Sequence, residues 1–515
     1  MSDCVFPIGS RSAGLLIHLS SLPSPWGIGD LGLPALEWID RLATAGLGWW
    51  QFLPLGPPGR GNSPYEPFST VALNEVLISP EWMVEDGLLQ PDDVAGPATT
   101  EAAVDYEAVT AFKFQLLERA RGNFQAAPHA KLRHDFADFC ESQACWLEDY
   151  ALFRALGRRY GSTQFHHWPA ELKRRERAAL ASVGQEVADV VDLFRFAQFL
   201  AHRQTQRLRD YARQKGVRLI GDVPFFVSPD SADVWAHPEL FLLDADGTPL
   251  FIAGVPPDYF SAEGQLWGDP LYRWETHRST GYEWWIERIR SLLSRVDVVR
   301  LDHFRGFAAA WHIPARSTTA KRGEWRPGPG ADFLAAAQSQ LGPLPVIAED
   351  LGLITPDVLA LRDQFHFPGM SVLQFAFDGD PKNPFLPQNY STSMVVYTGT
   401  HDNNTARGWF ESLPESERQL VRSYFEGSAS DTKEVAWELI RLAWESPAVL
   451  AVAPLQDLLD LGGEARMNWP GRSIGNWRWR ATREQMQSTA FDRLRDLTER
   501  TGRTTTSNPG ASSFG

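Results

Sequence analysis

The chain has 515 residues, 43% of them hydrophobic, and a formal net charge of −15. This acidic balance argues against a nucleic-acid-binding surface and suits a protein with a neutral ligand. No stretch approaches 18 uninterrupted apolar residues, so we expect no membrane-spanning helix.

Three cysteines in so long a chain indicate a reducing compartment rather than a disulfide framework. The N-terminal residues lack a basic region followed by an apolar run, so we expect no secretory signal. Together these features favour a cytoplasmic location.

Eight short apolar runs recur along the chain, most of them separated by stretches with helical periodicity. The runs cover residues 13–19, 49–55, 217–223, 296–302, 344–349, 370–375, 394–398 and 449–454. Predicted helices include residues 34–45, 283–293, 331–341, 356–364 and 415–443. Strands alternating with helices predict an α/β fold, a (β/α)₈ TIM barrel. A doubly wound open sheet is the alternative, but no phosphate-binding glycine motif follows any strand.

Two intervals are too long to be simple connections between a strand and a helix. After the second strand we predict a mainly helical insertion subdomain at 56–216, and after the third strand a second insertion at 224–283. The catalytic barrel spans 1–500, without a separate C-terminal β domain. The Ser/Thr/Gly-rich residues 501–515 are predicted to form a disordered tail.

The stretch 298–306 begins as a buried strand and then breaks into Arg-x-Asp-His-Phe-Arg-Gly. Asp302 is flanked there by Arg300 and Arg305. The carboxyl end of a barrel strand is where active sites lie. A structural ion-pair network beneath a loop is the alternative interpretation.

Three further acids end other predicted strands: Asp222 the third, Glu349 the fifth and Asp402 the seventh. With Asp302 they form a set of four carboxylates at one rim. A Mg²⁺ or Ca²⁺ site would explain such a set. Glycoside chemistry would also explain it, because it needs one carboxylate nucleophile and one carboxylic acid as proton donor.

The neighbours of these acids favour the second explanation. Arg300 should keep Asp302 ionised, whereas Glu349 follows an apolar run, where desolvation should keep its proton. Asp402, between His401 and Asn403, could hydrogen-bond sugar hydroxyls as charge develops. We interpret His401 as a sugar-binding residue.

The motifs Arg300-x-Asp302, Glu349 and His401-Asp402 resemble the strand-end motifs of the α-amylase superfamily. Longer stretches resemble the amylomaltases, the 4-α-glucanotransferases or disproportionating enzymes of bacteria and plants. These stretches are SSLPSPWGIGDLG (20–32), SPYEP (63–67), AGVPPDYFSAEGQLWGDPLYRW (253–274) and ARMNWPGRSIGNWRWR (465–480). The resemblance covers residues 12 to about 498.

The resemblance implies a retaining transferase acting on maltooligosaccharides and other α-1,4-glucans such as starch and glycogen, with glucose as an acceptor. Asp302 would attack the donor C1, Glu349 would act as acid and then base, and Asp402 would stabilise the transition state. The carboxyls of Asp302 and Glu349 should lie roughly 5–5.5 Å apart. No cofactor and no catalytic metal are implied.

The resemblance also implies a loop at 254–268 that covers the cleft and binds acceptor sugars through aromatic residues, including Tyr259, Phe260 and Trp267. The predicted substrate-binding residues are Tyr65, Asp222, Gln265, Trp267, Arg300, His303, Phe375, His401 and Asn468. An α-1,4-glucan hydrolase on the same scaffold and a non-catalytic glucan-binding protein are the two alternative functions.

Overall fold

The computed structural model describes residues 11–96, 102–126, 129–257, 263–425 and 434–505. Its strands are β1 (Ser12–Leu16), β2 (Trp49–Gln51), β3 (Arg218–Val223), β4 (Phe251–Val255), β5 (Gln265–Pro270), β6 (Val298–Leu301), β7 (Ala309–Pro314), β8 (Glu324–Pro327), β9 (Val346–Ala348), β10 (Gly369–Val372), β11 (Met394–Tyr397) and β12 (Leu450–Pro454).

The α-helices in the same ranges are α1 (Leu33–Thr44), α2 (Pro80–Glu85), α3 (Tyr106–Ala126), α4 (Ala130–Ser142), α5 (Ala144–Tyr160), α6 (Ala170–Lys173), α7 (Arg177–Glu186), α8 (Ala188–Gln214), α9 (Ala232–Ala236), α10 (Trp274–Ser279), α11 (Glu283–Leu293), α12 (Arg305–Ala308), α13 (Gly330–Leu341), α14 (Pro356–Gln364), α15 (Ala406–Ser412), α16 (Glu415–Ser423), α17 (Val435–Glu445), α18 (Leu455–Leu458) and α19 (Ala490–Arg500). Across the described ranges, no helix is long and apolar enough to cross a membrane.

Eight parallel strands form the central sheet, in the order β10-β11-β12-β1-β2-β3-β6-β9. The Ala348 N–H donates to the Pro368 carbonyl at 2.9 Å, which closes the sheet between β9 and β10. The prediction of a (β/α)₈ barrel is confirmed, and each of the eight predicted runs contains or overlaps a barrel strand. Beyond Pro454, the described residues contain no further strand.

Alternate residues of each barrel strand face two different cores. Ile220, Val298 and Ile347 belong to the cluster that fills the barrel, together with Trp49 and Tyr397. Their strand neighbours, among them Leu219, Val299 and Val346, pack in the larger cluster with the surrounding helices. Parallel strands buried on both faces read as continuous apolar runs, which is why the sequence pattern locates them.

A second, antiparallel sheet stands beside the barrel, in the order β5-β4-β7-β8. The first two of its strands come from the predicted insertion at 224–283, and the other two follow β6. β7 and β8 were not predicted from the sequence. β8 carries Glu324 and Arg326 and is partly exposed, and His312 interrupts the apolar residues of β7, so neither segment gives the continuous apolar run of a buried strand.

One prediction about the C-terminal part of the chain is wrong, and a second does not hold for residues 501–505. The helix predicted over 415–443 is not continuous, because α16 ends at Ser423 and α17 begins at Val435. Residues 426–433 lie outside the described ranges; they include Gly427 and two serines, which have lower helix propensities than alanine.

The tail predicted to be disordered is ordered in its first five residues. Arg503 is fully buried and donates to the carbonyls of Ser12 (2.9 Å), Trp444 (2.6 Å) and Ser446 (2.8 Å). The carbonyls at the end of α17 attract a cation, which anchors this segment. Residues 506–515 lie outside the described ranges.

The segment between β2 and β3 holds helices α2 to α8, and a buried ion pair joins it to the barrel loops. Lys113 of α3, 1% exposed, donates through Nζ to Asp30 Oδ2 at 3.1 Å and to the Ile78 carbonyl at 2.7 Å. The ammonium also lies 5.5 Å from the Trp26 ring centroid. This contact links α3 to the loop that follows β1.

We expect Lys113→Met to destabilise the protein by about 3–5 kcal/mol, because it leaves the Asp30 carboxylate buried without its cation. Urea unfolding at neutral pH measures the loss. The double variant Asp30→Asn/Lys113→Met should recover most of it. The control Lys131→Met removes an exposed lysine from α4 and should change stability by less than about 0.5 kcal/mol. A loss of under 1 kcal/mol in Lys113→Met would show that the pair is not an anchor.

Candidate active site

The four acids singled out by the sequence lie at the carboxyl-terminal rim of the barrel. Asp222 is the penultimate residue of β3, Asp302 follows β6, Glu349 follows β9 and Asp402 lies in the loop after β11. Because β3, β6 and β9 pair in parallel, three of these acids come from neighbouring strand ends. This rim is where barrel active sites are built.

Arg300 joins two of the acids. Its guanidinium is buried, and Nη1 donates to Asp302 Oδ1 at 2.8 Å and to the two oxygens of Asp222 at 2.9 and 2.7 Å. Its Nε donates to Met370 Sδ at 3.4 Å. Burial raises the pKa of Asp222, although the charge of Arg300 opposes the rise. One cation therefore orients a buried carboxylate and a carboxylate that is 27% exposed, Asp302.

Glu349 is held by two backbone N–H groups. Oε2 accepts from His303 N at 2.7 Å, and Oε1 accepts from Leu351 N at 2.8 Å. His303 has φ +46°, a left-handed conformation that is uncommon for a residue with a side chain. This turn, directly after Asp302, aims the N–H at Glu349, and strained backbone of this kind clusters at functional sites.

Burial raises the pKa of Glu349 to about 7, and the nearby Asp302 carboxylate adds to the rise. The charge of Arg300 and the two backbone donors act in the opposite direction without cancelling it. At neutral pH this carboxyl group therefore carries a proton in a substantial fraction of molecules. A group poised near the working pH is suited to both proton donation and proton abstraction.

Asp402 sits at the other end of the set and is 51% exposed. Asn468 Nδ2 donates to its Oδ1 at 2.6 Å, and His401 Nε2 lies 3.4 Å from its Oδ2. The Tyr65 ring stacks on the His401 ring, with centroids 4.8 Å apart and planes at 14°. The Tyr65 hydroxyl donates to Asp222 Oδ2 at 2.8 Å, so these contacts link Asp402 to the Arg300 cluster.

The remaining predicted substrate-binding residues make two separate sets of contacts. The Trp267 indole packs edge-on against the His303 ring at 5.0 Å, and its Nε1 donates to Gln265 Oε1 at 3.2 Å. Phe375 is half-buried, packs against the cluster that fills the barrel and contacts the Phe385 ring at 5.5 Å. Tyr259 and Phe260, from the predicted covering loop, lie outside the described residues.

Two residues that contact the residues around Asp402 and Tyr65 were not predicted from the sequence. Arg466 donates to the Asp402 carbonyl at 2.5 Å and to the Asn468 carbonyl at 2.6 Å. The Trp477 ring lies 5.8 Å from that of Tyr65 and 6.0 Å from that of His401. Both residues belong to the stretch 465–480, one of the stretches that resemble the amylomaltases. Only Asn468 was predicted from that stretch to bind substrate.

Within the described ranges, no group of three or more His, Cys, Asp or Glu side chains is arranged to hold a metal ion. The expectation that the chemistry needs neither metal nor organic cofactor remains a prediction.

Comparison with known proteins gives consistent matches along most of the chain. A family model described as 4-alpha-glucanotransferase matches residues 17–486. The 4-alpha-glucanotransferases of Synechocystis sp. and Thermus thermophilus are 47% and 46% identical to this chain, each over 96% of it and 99% of the relative. An amylomaltase from Streptococcus agalactiae, solved in complex with acarbose, superposes with a TM-score of 0.93 at 35% identity, over 96% of this chain and 100% of that one.

Proposed function

The chain belongs to the 4-α-glucanotransferase family, and from that premise we propose that it transfers α-1,4-glucan segments by a retaining, two-step reaction through a covalent bond to Asp302. The observation that carries the proposal is the pair formed by Asp302, ion-paired to Arg300, and Glu349, whose pKa burial raises to about 7. Retaining glycoside chemistry needs this division between a nucleophile and a proton donor.

In the first step, an oxygen of Asp302 attacks the donor C1 while the bond from C1 to the leaving 4-oxygen breaks. Glu349 gives its proton to that oxygen, so the departing glucan leaves as a neutral alcohol. In the second step, Glu349 takes the proton from the 4-hydroxyl of the acceptor, whose oxygen displaces Asp302 from C1. Two inversions at C1 restore the α configuration.

Asp402 is proposed to hydrogen-bond the 2- and 3-hydroxyls of the donor ring. Its fixed position between Asn468 and His401 supports this role, because a preorganised carboxylate can stabilise the oxocarbenium-like transition state without reorganising. Tyr65 would stack on the donor ring, and Asp222 would act through Arg300 and Tyr65 rather than by touching the reacting atoms.

Transfer requires that the acceptor sugar reach the covalent intermediate before water does. An acceptor held in position gains the advantage of an intramolecular reaction. We assign this task to Trp267, Gln265, His303 and Phe375, together with the covering loop predicted at 254–268. The expected donors are maltooligosaccharides and longer α-1,4-glucans, and glucose is an expected acceptor; a cytoplasmic location agrees with these substrates.

The product profile from maltotriose tests the proposal. We expect glucose together with a ladder of maltooligosaccharides longer than maltotriose, because each transferred segment extends an acceptor. Chromatography with pulsed amperometric detection resolves the ladder, and proton NMR reports the anomeric configuration of new bonds. Glucose and maltose without longer products would indicate a hydrolase. New β linkages would exclude the retaining mechanism.

A further inference from the structure

A small internal cavity lies between the end of β3, the loop at 67–73 and helix α11. Its volume is about 40 Å³, and its lining includes Thr70, Pro224, Arg288, Leu292 and Arg295. It has room for a few atoms and not for a sugar ring, since one water molecule in the liquid occupies about 30 Å³. Two arginines in the wall of such a cavity require an explanation.

Arg295 is the less expected of the two. It is 8% exposed, and within the described ranges its side chain makes no ion pair and donates no hydrogen bond; its Nε is buried without a partner. Burial lowers the pKa of Arg295 to about 10, and no carboxylate opposes that shift. The neighbouring His202 is neutral near pH 7, because burial and the charge of Arg295 lower its pKa to about 4.

Arg288 is also buried, at 2% exposed, but it has backbone partners. Its Nη2 donates to the Pro224 carbonyl at 2.5 Å, and its guanidinium lies 4.7 Å from the Trp285 ring centroid. Asp233, whose charge acts on Arg288, accepts hydrogen bonds from the backbone N–H and the hydroxyl of Thr70 at 2.9 and 2.6 Å. Asp222 also lines the cavity, and its carboxylate accepts hydrogen bonds from Arg300 and Tyr65.

We propose that this cavity binds one small monovalent anion of the chloride type, held between Arg295 and Arg288. A buried charge without a counter-charge is destabilising, and an anion in the cavity would supply the counter-charge for Arg295. The small volume selects a monatomic ion over a sugar or a nucleotide phosphate. A water molecule would fill the same space but would not neutralise the guanidinium.

Anion binding would affect the catalytic rim through β3. Arg288 holds the Pro224 carbonyl, two residues beyond Asp222, and Asp222 is the partner of Arg300 and Tyr65. An anion that keeps Arg288 and Arg295 in place therefore stabilises the end of the strand that presents Asp222. The site is structural and supports the active site without touching the substrate.

Crystals of the full chain soaked in sodium bromide test the proposal directly. We expect an anomalous peak at the bromine edge within hydrogen-bond distance of the Arg295 guanidinium. An ordered water without anomalous signal at saturating bromide would overturn the proposal, and so would an empty cavity.

Thermal unfolding in solution gives a second, independent test. At matched ionic strength, sodium bromide at ten times its dissociation constant should raise Tm by roughly 1–2 °C over sodium gluconate. Arg295→Met should abolish this difference. Arg290→Met, which removes an exposed arginine from α11, should retain it. If Arg295→Met does not fold, Arg295→Lys replaces it; an Arg295 variant with the wild-type halide response would contradict the assignment.

Discussion

Replacing Asp302 by asparagine is expected to lower kcat for maltotriose disproportionation by roughly 10⁴-fold or more, the scale on which loss of a catalytic nucleophile is measured in other enzymes. Asparagine keeps the shape of the side chain but lacks the negative charge that attacks C1. The KM for maltotriose should change much less, because Tyr65 and Asp402, the proposed contacts to the donor ring, are unchanged. Steady-state kinetics over a range of maltotriose concentrations separates the two constants.

A matched control and a chemical rescue sharpen this test. Asp210→Asn, which removes an exposed carboxylate from α8, should leave kcat unchanged. With Asp302→Ala, α-glucosyl fluoride and azide, we expect β-glucosyl azide, because azide attacks C1 from the vacated side while fluoride leaves from the other. Retention of more than a few per cent of wild-type kcat in Asp302→Asn would assign the nucleophile to another group.

The barrel could be predicted from the sequence because its strands are buried on both faces. Each therefore reads as a mostly apolar run, and the register of the sheet brings the run ends to one rim. The antiparallel sheet beside the barrel could not be predicted in the same way. Segments such as β8 (Glu324–Pro327) are partly exposed, so their mixed polar and apolar residues give no continuous apolar run.

The acids of the candidate site were predictable from their positions at strand ends, but their connections were not. The sequence suggested that Arg300 pairs with Asp302. In the structure its Nη1 donates to both Asp302 and Asp222. The contacts of Arg466 and Asn468 with Asp402 span more than 60 residues. Contacts of that range depend on how loops fold over the rim, and a local sequence pattern does not encode them.

The second large effect is expected from Glu349→Gln, which should lower kcat for maltotriose by about 10²–10⁴-fold, the usual contribution of general acid–base catalysis. Glutamine keeps one acceptor oxygen, so it can accept from His303 or from Leu351, but its NH₂ group faces the other backbone N–H and that hydrogen bond is lost. What it lacks is a proton for the departing 4-oxygen. A donor such as α-glucosyl fluoride needs no such proton, so its first step should be far less affected than that of maltotriose.

The pH profile distinguishes loss of a proton donor from simple misfolding. Burial raises the pKa of Glu349 to about 7, so the protonated form that the first step needs predominates below pH 7 and is lost as the pH rises through that value. Wild-type activity on maltotriose should therefore fall above about pH 7, and Glu349→Gln should lack this limb. Glu417→Gln, an exposed change in α16, should keep it. A basic limb that persists unchanged in Glu349→Gln would mean that another group delivers the proton.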